Sequence, residues 1–176
     1  MTEKGSAENT GDLQTATPGE LLTVGWREWV HLPDLGLPPI KAKVDTGART
    51  SALHAFALQP FVEAGRQRVE FNIHPIQLNN ETVVTCVADV IDQRVVTDSG
   101  GHKEERWVIE TTLKIGSYQW PIEMTLTSRD DMRFRMLLGR NALKNWALVD
   151  SSRSYIIGKK PKKKKRATHQ AQDATA

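Results

Sequence analysis

Apolar and polar residues alternate with a period of two along most of residues 21–157, a pattern that predicts strands rather than helices. Residues 21–30, which include Trp26 and Trp29, read as a strand. Residues 31–39 contain three prolines, which exclude a helix and make a turn. Ile40, Ala42 and Val44 share one face of a strand over 40–44 that returns on the first as a hairpin. Residues 51–58 begin a further strand, with Phe56, Leu58 and Phe61 as core positions. Over 68–74, Val69, Phe71 and Ile73 alternate with polar residues, so this strand is half-buried and His74 is its solvated end. Residues 82–90 form another strand, with Cys86 as a small packing residue.

Two β-rich runs, 94–97 and 106–113, flank Asp98-Ser99-Gly100-Gly101-His102-Lys103 and predict a hairpin with a Gly-Gly tip. A turn within 113–120 leads to 122–127, where Ile122, Met124 and Leu126 share one face. Residues 136–138 form a short buried strand, 141–146 a short helix, and 147–150 with 154–157 a final hairpin. About nine strands and one helix at this spacing predict an all-β fold closed into a barrel, with the helix near the C-terminal end.

The length of 176 residues fits one domain. Residues 1–20 are polar and expected to be disordered, residues 21–157 form the folded domain, and residues 158–176 are a basic, disordered tail. Charge divides along the same boundary. The tail has seven basic residues and one acid, or +6, so the preceding 157 residues sum to −3 within a total of +3. Such a tail is attracted to RNA or a ribosomal surface in a salt-sensitive way, or serves solubility alone. It has no aromatic residue for base stacking, which argues against sequence-selective binding. A single cysteine cannot form an intrachain disulfide. Residues 1–17 lack the apolar stretch of a secretory signal, and no apolar run nears the length of about 20 needed to span a bilayer. The expectation is a soluble cytoplasmic protein without a membrane partner.

The candidate chemistry begins at Asp45-Thr46-Gly47, directly after the strand over 40–44. This places a carboxylate on a tight loop, with a glycine that admits close backbone approach and a hydroxyl able to bond across an interface. The plainer alternative is an Asx-turn capping a strand end. The triplet resembles the active-site loop of retropepsin-like aspartic proteases, in which each subunit of a dimer gives one Asp to a catalytic pair. Leu137-Leu138-Gly139-Arg140-Asn141, later in the chain, resembles the apolar-apolar-Gly-Arg-Asn segment after the last core strand of that family. The longer string Asp45-Thr46-Gly47-Ala48-Arg49-Thr50-Ser51-Ala52-Leu53-His54-Ala55 is similar to small bacterial proteins labelled ATP-dependent zinc proteases. Those proteins have a retropepsin-like fold and are associated with ATP-grasp glutamate ligases. The resemblance covers roughly residues 23–158.

The resemblance implies an aspartic endopeptidase that works as a homodimer, with Asp45 catalytic. Thr46, Gly47, Ala48, Gly139, Arg140 and Asn141 support the site, Thr46 by a cross-dimer hydrogen bond and Arg140 by tying the loops to the core. Ser99, Gly100 and Gly101 form either a flap over the substrate or an ordinary exposed turn. Asp98-Ser99-Gly100 repeats the Asp-Ser/Thr-Gly pattern, but charged residues follow it and no second apolar-apolar-Gly segment exists, so a two-lobed enzyme is not expected. Where viral retropepsins commonly carry an acid, this chain has Arg49, a cationic lip suited to an acidic or glutamate-tailed substrate. The five histidines are scattered, and His-Glu-x-x-His, Cys-x-x-Cys and phosphate-loop motifs are missing, so neither metal nor cofactor is expected. The rival reading is a non-proteolytic adaptor or regulator bound to a glutamate ligase or ribosomal protein.

Overall fold

β-Branched and aromatic residues in period-two order fold as the pattern predicts, into a mostly β structure. The computed structural model describes residues 14–15, 21–98, 100–128 and 133–160. Among these the strands are β1 (Gln14–Thr15), β2 (Leu22–Gly25), β3 (Arg27–Val30), β4 (Ile40–Val44), β5 (Ser51–His54) and β6 (Phe56–Glu63). They continue with β7 (Arg66–Ile73), β8 (Val84–Thr97), β9 (Lys103–Ile115), β10 (Tyr118–Thr127), β11 (Met136–Leu138) and β12 (Ala147–Asp150), and helix α1 covers Arg140–Leu143. The main sheet runs β3-β4-β11-β5-β10-β9-β8-β7-β6, with β1 alongside β10, while β2 and β12 form a separate parallel pair. This path is open at β3 and β6. Among the described residues, the expected closure into a barrel is represented only by one antiparallel bridge between His31, beyond β3, and Lys114 in β9.

Several expected elements need correction. Residues 21–30 are two strands, because the chain changes partner at Trp26, whose N–H donates to the Arg153 carbonyl and whose own carbonyl accepts from Val44. Gly25 marks the crossing: a Cβ there would lie 2.5 Å from the Arg153 oxygen. The proline-rich turn contains a 3-10 turn at Pro33–Leu35, since proline fits a first helical position and Gly36 ends the turn at φ 62°. No final hairpin forms. β12 pairs in parallel with β2, and residues 154–157 are not a strand. Instead, Glu28, fully buried on β3, accepts amide hydrogens from Gly25 (2.7 Å), Ile156 (2.8 Å) and Gly158 (2.8 Å), so a side chain replaces the ladder. Phe61 is exposed on the edge strand β6, not in the core. Gln14–Thr15, within the segment expected to be disordered, pair with Tyr118–Gln119.

The core gathers Val24, Leu53, Phe71, Ile109, Met124 and Leu138, drawn from six strands. Within β10, Met124, Thr125, Leu126 and Thr127 are all buried, over the stretch where β5 pairs with the strand. The short strand β11 lies parallel to β4 and antiparallel to β5. Their register brings the end of β4, the end of β11 and the start of β5 together at one rim.

Candidate active site

At that rim the two sequence motifs dock on each other. Asp45 leaves β4 with its N–H donating to the Leu138 carbonyl at 2.9 Å, one step beyond the β4–β11 ladder. The backbone then turns, and Asp45 Oδ1 accepts from the amides of Gly47 (3.0 Å) and Ala48 (3.2 Å). This is an Asx-turn, so the plainer reading of Asp45 is also present in the geometry, without excluding a chemical role. Among the described residues no hydrogen bond engages Oδ2. A Cβ on residue 47 would stand 3.2 Å from Asp45 Oδ1, a close approach that glycine avoids.

The second motif clasps this turn. Arg140 donates through Nη1 to the carbonyls of Thr46 (2.9 Å) and Gly47 (3.0 Å), and through its amide to the Ala48 carbonyl (2.9 Å). The Asn141 amide donates to the Arg49 carbonyl at 3.0 Å. Gly139 donates to Ser51 Oγ at 3.1 Å and packs so closely that a Cβ would lie 2.5 Å from the Thr50 carbonyl carbon. Ser51 is fully buried, and its carbonyl accepts from Thr125 Oγ1. Sequence reasoning missed Ser51, although it lies on the quoted motif string. Its role depends on the β5–β11 register, which the residues alone do not specify.

The turn opens on a groove of about 1050 Å³ whose walls include Asp45, Arg49, Arg94, Asp98, Arg106 and Glu123. The hairpin of β8 and β9 also lines this groove, and its turn falls at residues 98–102 as the Gly-Gly tip predicts. Its tip is built on Asp98, whose Oδ1 accepts from the Gly100 (2.8 Å) and His102 (3.0 Å) amides. Gly101 takes φ 84°, a left-handed conformation that favours glycine. Ser99 lies outside the described residues. Asp98, set aside as a second catalytic group on sequence context, thus lines the same groove as Asp45.

Arg94, Arg106 and Glu123 were not singled out from the sequence. Arg94 donates to Glu123 (2.7 Å) and Asp92 (2.5 Å), which in that order hold its proton more firmly than usual. The Arg94 guanidinium, followed by the Gln93 amide, pulls the Asp92 carboxyl below its ordinary range. Away from the groove, burial pushes the Cys86 thiol up to about 11, which makes it inert near neutrality. Among the described residues no three His, Cys, Asp or Glu side chains cluster as metal ligands, and no helix is long and apolar enough to cross a membrane.

Comparison with known proteins agrees with this geometry. The family model described as RimB-like, retropepsin-like aspartic endopeptidase RimB, matches residues 23–160. Proteins named probable alpha-L-glutamate ligase are similar: that of Shewanella pealeana (strain ATCC 700345 / ANG-SQ1) is 45% identical over 137 residues, covering 78% of this chain. The one from Parasynechococcus marenigrum (strain WH8102) is 46% identical over 137 residues, again covering 78% of this chain. The chain spans only 30% and 29% of those relatives, respectively. The crystal structure of Lpg0085, a protein of unknown function from Legionella pneumophila subsp. pneumophila str. Philadelphia 1, superposes with a TM-score of 0.66. Its identity is 23%, over 77% of this chain and 97% of that one, so the likeness is one of fold. With a match from residue 23 to residue 160 that takes in both docked motifs, this chain belongs to the RimB-like family of retropepsin-like proteins.

Proposed function

We propose that the chain is an aspartic endopeptidase acting as a homodimer, with the Asp45 carboxylates of two copies forming the catalytic pair. Twofold symmetry brings a residue to its own copy, which explains how one Asp-Thr-Gly turn supplies two carboxylates. Like charges at short range cannot both ionise easily, so the pair shares one proton. The ionised member takes a proton from water as that water attacks the scissile carbonyl carbon, while the protonated member donates to the carbonyl oxygen. Collapse of the tetrahedral intermediate breaks the C–N bond as a proton passes to the leaving amine. No metal enters this scheme.

One observation carries the reading: a carboxylate lies in a groove on a turn fixed from behind by Leu138, Arg140 and Asn141. An adaptor has no use for a carboxylate held this way. In this reading Gly100 and Gly101 belong to a flap that closes over substrate. Arg49 at the rim favours acidic or glutamate-tailed chains, and the ligase names of the relatives agree with such a substrate. The His31–Lys114 bridge supports closure of β3, β4, β11, β5, β10 and β9 into the retropepsin-like barrel. The second reading, an adaptor docked on a glutamate ligase, is favoured by the fact that the matched region is only 30% of a relative that bears a ligase name.

The test is incubation of the purified chain with a peptide library and a glutamate-tailed protein from acid to neutral pH. Asp45→Asn, Asp98→Asn and a chelator are run in parallel. Cleavage lost only with Asp45→Asn is the expected result. Loss with the chelator would point to a metal, loss with Asp98→Asn to a pair within one chain, and no cleavage by the parent to the adaptor.

A further inference from the structure

The hairpin wall contains an arrangement that strand stability alone would avoid. Arg94 on β8 and Arg106 on β9 are directly opposite each other, and like charges in that register destabilise a sheet. Arg94 is neutralised twice, by Asp92 and Glu123. Arg106 is not. Only its Nε is engaged, by Glu104 Oε2 at 2.7 Å, and the same oxygen accepts from Thr127 Oγ1 at 3.2 Å. Nη1 and Nη2 of Arg106 make no hydrogen bond to a described residue. Yet the Arg106 side chain is only 9% exposed, and it lines the Asp45 groove. A guanidinium at the end of a side chain more than nine-tenths buried, oriented through one nitrogen with its other two unbonded toward the groove, is a half-completed fork.

We infer that Arg106 is a specificity-determining residue whose two outer nitrogens receive a side-chain carboxylate of a peptide lying in the groove. A planar carboxylate matches the guanidinium fork, and the low local dielectric strengthens the pair. Asp45, Asp98 and Glu123 on the same walls oppose a doubly charged group, which favours a singly charged carboxylate over a phosphate. A glutamine in the same place offers one oxygen and an NH2 that faces donors, so it loses a charge-assisted hydrogen bond and sets donor against donor. Arg49 is exposed and attracts acidic chains at long range, whereas Arg106 selects at contact. The inference rests on the proteolytic reading only for the ligand being a peptide.

Binding separates the two ideas. In the full chain carrying Asp45→Asn, so that nothing is cleaved, an acetylated and amidated Glu-containing peptide should bind about tenfold or more tightly than its Gln counterpart, as charged hydrogen bonds imply. Amidation removes the terminal carboxylate as a competing source of the signal. Adding Arg106→Gln should reduce the ratio to near one, and adding Arg94→Gln should retain it, since Arg94 is already saturated. Arg106→Lys keeps the charge without the fork; if Arg106→Gln lowers Tm too far to be read, a clear loss of the ratio in the lysine variant supports the same assignment. A preference for Glu that survives the Arg106 variants, or no preference in the parent protein, overturns it. Failure of the parent chain to cleave any peptide would sink the proteolytic reading and leave the Arg106 binding result standing.

Discussion

At the scale of single residues, the candidate site depends on positions with no steric or electrostatic alternative. Gly139 has the Thr50 carbonyl carbon 2.5 Å from where a Cβ would sit, and the obstacle is backbone, which cannot rotate away. Gly139→Ala is expected to cost about 1–3 kcal/mol as local overpacking and to displace the Asp45 turn. Denaturant unfolding checks the first effect, and a loss of peptide cleavage larger than the loss of folded protein checks the second. Glu28 is the corresponding electrostatic case. Its carboxylate accepts three amide hydrogens in the interior, and a glutamine there would turn an NH2 toward at least one of them. Glu28→Gln is expected to destabilise by about 2–3 kcal/mol, with unfolding measured by near-UV circular dichroism. The sequence made Gly139 legible because it sits inside a motif. Glu28 was not legible, since on a half-buried strand an acid normally faces water, and two of its three partners come from more than a hundred residues downstream.

At the scale of elements, local pattern identified the strands and misjudged where the chain changes partner. Residues 40–44 and 68–73 fold as the alternation predicts, whereas in 122–127 the alternation gives way to four successive buried positions where β5 joins β10. Residues 21–30 and 51–58 each read as one run but divide at Trp26 and at Ala55, where hydrogen bonds pass to another segment. Alternation records which side faces the core and carries nothing about which strand lies alongside. The Arg94–Arg106 pair shows a signal that was available: a hairpin centred on Gly100 places those two residues opposite each other. The bridge at His31 gives an element-scale prediction. Burial, followed by the Lys114 charge, holds the His31 imidazole below its ordinary value of 6.5. The unfolded chain therefore binds a proton more readily than the folded one between that lowered value and about 6.5, and stability falls as pH drops through this window. His31→Gln leaves the backbone bridge intact and should flatten this part of the profile, measured by urea unfolding at closely spaced pH values. An unchanged slope would remove His31 as its source.

At the scale of the whole molecule, one Asp-Thr-Gly turn per chain makes the proposed chemistry a property of two chains. The charge distribution is compatible with this: residues 1–157 sum to only −3, a small electrostatic cost for the approach of two copies. No pattern in the sequence specifies the twofold surface, because self-complementarity depends on residues from distant strands meeting at one face. Dilution offers a first check, since a dimeric enzyme loses specific activity below its dissociation constant while a monomeric one does not. Mixing offers a sharper one. Parent and Asp45→Asn chains combined in equal amounts and allowed to exchange form pairs of which about a quarter carry both carboxylates, as random association of a symmetric dimer requires. If both copies of Asp45 are needed, activity per chain should therefore fall to about one quarter of that of the parent alone. A pair formed within one chain from Asp45 and Asp98, which share the same groove, would leave about one half. The ratio of these outcomes is twofold, and titrating the variant from low to high excess separates a quadratic decline from a linear one.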